Sequence, residues 1–202
     1  MAQLTPEPHT SPRRGRGRRP ADQVRAEILT AAGGLLLDEG MAGFTIEKVA
    51  ALAGASRMTI YKWWPSKGAL ALDGYFTVVA PTLAFSDTGD IVADLTDQLV
   101  AFVHLVRDTS AGRVISQLIG QAQTDPELAA AYRERYSAPR RALAVETLTR
   151  ATARGQLRAD IDKESVVDQL WGACYHRLLI GDLPLTEDFA RTLVDNLVRG
   201  LR

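Results

Sequence analysis

From Asp22 onward, apolar residues recur at three- and four-residue steps, and that period commits the chain to helices. Val24, Ile28, Ala31, Ala32, Leu35 and Leu36 open the series, with Asp22 as the expected cap and Gly40 as the stop. Ile91, Val92, Leu95, Leu99, Phe102, Val103 and Val106 form a long stripe; Val114, Ile115, Leu118 and Ile119 form a shorter one. Asp125-Pro126-Glu127 joins a capping acid, proline at the first helical position and an acid at the positive end of the helix dipole. Pro139 is expected to break or kink the segment 126–154, which Gly155 ends. Two more helices close the chain, one carrying Val166, Val167, Leu170, Trp171, Cys174, Tyr175, Leu178 and Leu179. The other begins at Thr186 and carries Phe189, Ala190, Leu193, Val194, Leu197, Val198 and Leu201. No alternating strand pattern of useful length and no internal repeat interrupts the series, so the expected fold class is all-α.

A chain of 202 residues can bury about 70% of its unfolded surface without a disulfide or a metal staple. Its 46% apolar and 24% charged residues exclude collagenous, low-complexity and largely disordered classes. The single cysteine, Cys174, has no internal disulfide partner and reads as a small core residue of a protein in a reducing cytoplasm. His9, His104 and His176 lack ligand spacing, so neither a metal nor another cofactor is expected. No apolar run reaches the 18 or so residues that a bilayer demands, and no apolar stretch follows Arg13-Arg14. Neither membrane insertion nor export is therefore expected. There is also no Gly-rich phosphate loop, no Gly-x-Ser-x-Gly elbow and no spaced Cys/His pair to support an enzyme.

Charge balances overall, at 24 basic against 24 acidic residues, but not locally. Residues 1–70 hold 10 Lys/Arg against 6 Asp/Glu, and residues 71–202 hold 14 against 18. Residues 1–20, with four prolines, two glycines and five arginines from Arg13 to Arg19, read as a flexible basic arm. Arg18 and Arg19 either enter a DNA minor groove or belong to a solvated tail that adds nonspecific affinity.

Behind the arm, residues 44–67 suit a helix-turn-helix. Thr45 caps a first short helix buried through Val49, Ala50 and Ala53; Gly54 breaks it; Ser56 caps a second. Placing Ile60 and Trp64 inward turns Arg57, Met58, Tyr61 and Lys62 outward. Arg57 then suits guanine O6 and N7, and Thr59 a base or a phosphate. Tyr61, Lys62 and Lys67 suit backbone oxygens, which set register. A small helical hairpin with a solvated face is the competing reading.

Phe44-Thr45, Val49-Ala50, Ala53-Gly54 and Ser56-x-x-Thr59-Ile60-Tyr61, followed by Trp64 and Lys67, resemble the DNA-binding region of the TetR family of transcriptional regulators. Met58 and Trp63 depart from the residues often found at their places, so base preference does not carry over. The resemblance implies phosphate contacts by Thr45, Tyr61, Trp63 and Lys67, with Arg57, Met58, Thr59 and Lys62 near bases. It further implies a homodimer on a palindromic double-stranded operator and a small-molecule effector of unknown identity. Three parts are expected: the arm (1–20), the helix-turn-helix domain (21–68) and an effector-binding and dimerisation domain (69–202).

Phe102, Gln117, Gln121, Tyr136, Trp171 and Tyr175 are the candidate pocket residues, with His104, Tyr132 and His176 also sitting within apolar stretches. Leu170, Cys174, Leu178, Phe189, Leu193, Asn196, Leu197 and Gly200 are the candidate dimer interface, although helices apolar on more than one side also fit a buried core. The leading expectation is a ligand-responsive repressor. The alternatives are an architectural, nonspecific DNA binder or a helical enzyme.

Overall fold

The computed structural model describes residues 19–201, and every regular element among them is helical. The order is α1 (Ala21–Gly43), α2 (Ile46–Ala53), α3 (Arg57–Trp63), α4 (Lys67–Val79), α5 (Ile91–Asp108), α6 (Ala111–Ala122) and α7 (Pro126–Tyr132). A π-helical turn (Arg133–Ser137), α8 (Ala138–Ala153), α9 (Lys163–Ile180) and α10 (Glu187–Leu201) follow.

Two boundaries differ from expectation. Asp22 lies inside the first turn of α1, behind Pro20, and makes no capping bond; its charge still faces the positive helix end. The segment expected to break or kink at Pro139 stays helical throughout: a π-helical turn lies just before the proline, and the backbone runs from α7 into α8 without a break. Gly40 does stop α1: at φ 67°, ψ −175° it turns the chain one turn before the element ends.

Helix α4 is the joint of the molecule, packing on α1, α6, α7 and the π turn. Its crossing with α1 has backbone against backbone. A Cβ on Gly33 would lie 2.5 Å from the Gly74 carbonyl oxygen, and one on Gly74 would lie 2.8 Å from the Ala32 Cβ. One continuous apolar core results, running from Phe44, Ile60 and Trp64 through Leu70 and Tyr75 to Leu99, Ile115 and Leu148. The expected boundary at residue 68 thus falls at the start of a helix whose side chains belong to both parts.

At the far end α10 packs chiefly along α5, and α9 along α8. Leu170 and Cys174 are fully buried within the protomer, which corrects their expected place at an interface: neither has surface to offer a partner. Burial pushes the Cys174 thiol up to about 12, so it stays protonated and inert near neutral pH.

Candidate nucleic-acid interface and body cavity

Each short helix of the N-terminal unit starts on a side-chain cap. The Thr45 hydroxyl accepts from the Lys48 amide at 3.2 Å, Ser56 from Thr59 at 3.0 Å and Ser66 from Ala69 at 3.2 Å. Between α2 and α3, Gly54 adopts the left-handed conformation (φ 57°, ψ 39°), and its N–H turns back to the carbonyls of Ala50 and Ala51. A side chain there would be strained, so the bend between the two helices depends on glycine.

Ile60 and Trp64 are fully buried and fix the rotation of α3. Met58 is 85% exposed and Tyr61 51% exposed on its outer side, where Arg57 and Lys62 are exposed too. Arg57 donates to the Glu47 carboxylate of α2 at 2.7 Å, a pair so exposed that DNA can displace it at little cost. Thr59 is half-buried, its hydroxyl 2.9 Å from that of Ser56. Trp63 is half-buried with its ring edge-on to Trp64, centroids 5.8 Å apart. Lys67 bends back, its ammonium donating to the Met41 carbonyl at 3.1 Å.

Arg18 lies outside the described residues. Arg19 braces the helix-turn-helix: it pairs with Glu27 of α1 and donates to the Gly54 carbonyl at 2.6 Å, placing a cation at the negative end of α2. Nothing in the sequence around Arg19 announces these two partners, which stand 8 and 35 positions away.

Besides the shared apolar core, two sets of polar contacts tie this unit to the body. The Trp64 indole N–H donates to Asp73 of α4 at 2.8 Å, and Arg135 of the π turn donates to the same carboxylate oxygen at 2.6 Å. Independently, the Gln117 side-chain oxygen of α6 accepts from the Met41 amide at 3.2 Å, beside the Gly40 turn. Gln117 therefore holds the α1 turn and is corrected as a cavity residue; Gln121 is exposed on α6 and also lies away from the cavity.

The body contains a cavity of about 230 Å³ among α5, α8, α9, the π turn and the α4–α5 loop. Phe102, Tyr132, Tyr136, Trp171 and Tyr175 line it. His104 and His176 are exposed elsewhere and face carboxylates: Asp108 and Glu187 for His104, Asp182 for His176. The lining aromatics belong to a cluster, backed by Tyr75 and Phe76 of α4, with ring centroids 5.1–6.1 Å apart: Phe102 on Tyr175, Tyr132 and Phe76 on Tyr136, Tyr136 on Tyr75, Phe85 on Trp171. The Tyr136 and Tyr175 hydroxyls face each other at 3.4 Å. Burial raises both phenols, Tyr175 well above its ordinary range, so they are neutral donors.

Sequence reasoning missed Leu83, Phe85 and the two arginines of the wall. Arg140 donates to the Leu83 carbonyl at 2.5 Å and stacks over Phe85 at 5.0 Å. Arg141 is held by Glu164 at 2.7 Å and by Asp168. The signal was present as a basic pair one turn past a tyrosine, but their facing depends on the π turn that precedes them.

These features define a helix-turn-helix unit on an all-helical body with an aromatic cavity. Residues 28–73 match the model of bacterial regulatory proteins of the tetR family, and residues 85–197 match that of the tetracyclin repressor-like C-terminal domain. The chain is 35% identical to the HTH-type transcriptional regulator YdeS of Bacillus subtilis, covering 93% of this chain and 94% of that one. It is 30% identical to the DNA-binding transcriptional repressor TetR of Mycobacteroides abscessus, over 86% of this chain and 90% of the relative. The crystal structure of the TetR-family transcription regulator SCO0332 superposes with a TM-score of 0.85 at 58% identity, over 89% of this chain and 99% of that one. The chain belongs to the TetR family of transcriptional regulators and carries its two parts, a helix-turn-helix DNA-binding domain and a tetR-like C-terminal domain. Members of this family are regulators and not enzymes. Among the described residues, no helix is long and apolar enough to cross a membrane.

Proposed function

We propose that the chain is a homodimeric repressor that binds a palindromic operator and leaves it when a small molecule fills the body cavity. The observation that carries this reading is the outer face of α3, where Arg57, Met58, Tyr61 and Lys62 stand exposed on a rigid backing of buried Ile60 and Trp64. In the proposed complex Arg57 exchanges Glu47 for a base edge, with Met58, Thr59 and Lys62 beside it. Thr45, Tyr61, Trp63 and Lys67 hold phosphates, Lys67 after swinging off Met41. Arg19, seated on the Gly54 carbonyl, supplies positive charge at the turn between α2 and α3, and Arg18 precedes it in the sequence. The Mycobacteroides abscessus relative is named as a repressor, which supports that sign of regulation. The protein would act in the cytoplasm, where its DNA target is.

For the dimer we propose the outer sides of α9 and α10, using Leu178, Phe189, Leu193, Asn196, Leu197 and Gly200. Leu179, Ile180 and Leu183, which are 43%, 66% and 54% exposed, extend that surface. A dimer sets two α3 helices to span one turn of DNA, about 34–36 Å. Release would begin at the cavity wall and reach the reader through Arg135, Asp73 and Trp64, with α4 as the lever: a ligand shifts the population only by its preference for one spacing.

Purified protein should retard a fragment of its own upstream region far more strongly than random DNA, with an excess of several powers of ten expected for a specific regulator. Equal retardation of both fragments would leave only a nonspecific binder.

A further inference from the structure

We infer that the body cavity takes a small organic carboxylate, an aromatic or short aliphatic acid, whose carboxylate pairs with Arg140 while its apolar part lies among the aromatic rings. This rests on the reading of the cavity as the effector site. Three observations carry it. First, Arg140 lines the cavity without an acidic partner among the described residues. A guanidinium has five N–H donors, and one contact, to the Leu83 carbonyl, occupies Arg140. Burial pulls its pKa below the ordinary value, yet an arginine remains a cation at neutral pH. Its neighbour Arg141 is different, being claimed by Glu164 and Asp168. Of the two guanidiniums in the wall, Arg140 is therefore the one without a carboxylate of its own among the described residues.

Second, the cavity's one lining carboxylate, Asp168, is already taken by Arg141, and the phenols near Arg140 can donate. The buried Tyr136 and Tyr175 hydroxyls are neutral, and at most one of the two protons is used in their mutual contact. A carboxylate, with two oxygens and about four acceptor sites, can take the planar fork of Arg140 and a phenol proton together. A cationic ligand would meet repulsion, and a neutral one would leave the guanidinium unpaired and dehydrated.

Third, size limits the ligand. At about 30 Å³ per water in the liquid, 230 Å³ holds roughly seven or eight waters, which is the scale of one ring or a short chain. Phe102, Trp171 and Phe85 supply the apolar walls.

The test is isothermal titration of the full chain, without DNA, using benzoate, phenylacetate and hexanoate. Benzamide, benzyl alcohol and hexylamine serve as size-matched neutral and cationic probes. At least one acid should bind about tenfold more tightly than its uncharged counterpart, and Arg140→Gln should erase that preference. Arg140→Lys should keep part of it, since charge survives without the planar fork. If Arg140→Gln does not fold, the preference of the wild-type chain and the Arg140→Lys result decide. The inference fails if no acid binds at millimolar concentration, if neutral or cationic probes bind equally well, or if Arg140→Gln leaves the preference intact. Operator retardation is measured separately. A chain that shifts its operator but refuses every acid loses this inference alone, and one that binds acids but no DNA loses the regulator reading alone.

Discussion

The outward groups of the reader come from neighbouring positions on one short helix, whereas the cavity wall is gathered from residues 83 to 175. Between Ser56 and Trp64, a cap, a buried pair and four exposed side chains follow one another at helical spacing, and few distant contacts are needed to aim them. The cavity instead needs Phe102 to meet Tyr175, Phe85 to meet Trp171 and Arg140 to reach back to Leu83. The reader's function is encoded locally and the body's by long-range packing. Variants can test whether that division survives the core that both parts share.

The largest expected effect is in that core. Trp64 is fully buried, bonded to Asp73 and covered by Arg25, so Trp64→Ala should cost about 3–5 kcal/mol in urea unfolding. Because α4 belongs to both parts, reader and body should still melt in one transition, followed by circular dichroism and, with Trp63 also changed to Phe, by Trp171 fluorescence. A reader that melts separately, with the body intact, would break the comparison at its root.

Next comes specificity. Arg57→Ala should weaken operator binding by about 1–3 kcal/mol while leaving random-DNA binding nearly unchanged, read by anisotropy at fixed salt. Equal losses on both DNAs would make Arg57 a phosphate contact. Its exposed bridge to Glu47 predicts almost no change in stability for the same variant.

The same division explains what could be read from the sequence. The caps Thr45, Ser56 and Asp125, the stops at Gly40 and Gly54 and the inward pair Ile60 and Trp64 are all where local chemistry puts them. Phe102, Tyr136, Trp171 and Tyr175 stood out as aromatics in apolar stretches and do meet in one cavity. Gln117 and Gln121 shared the same cue, yet the rotation of α6 turns them away. Leu170 and Cys174 show why an apolar stripe cannot by itself separate core from interface: periodicity marks a face but not what covers it. The π turn, with no dedicated residue signature, decides where Arg135 and Arg140 point. Neither was visible as a site residue beforehand.

A smaller effect should separate binding from response. Arg135 holds Asp73 from the π turn, so Arg135→Ala should leave operator affinity close to wild type without effector. With saturating effector, the release should shrink by about 0.5–2 kcal/mol, the range in which residues between two sites alter coupling. Full release in the variant would mean that the cavity signals by another route, for which the Gln117–Met41 bond is the other contact in place.

Thr45 gives the finest test, because one hydroxyl is assigned two tasks. As the cap of α2 it accepts from the Lys48 amide, and Thr45→Ala should cost about 1 kcal/mol of stability. As a proposed phosphate partner, it should also lower DNA affinity. Alanine removes both functions, so the informative change is Thr45→Asp. An aspartate caps as well as threonine or better, and it adds a negative charge at the positive end of α2, so thermal stability should hold or rise. That charge would repel a phosphate, and DNA binding should fall on operator and random sequence alike, most at low salt. If stability and DNA affinity both hold, Thr45 is a cap and does not face the DNA. The phosphate-binding edge of the reader would then begin at α3 instead of at the start of α2.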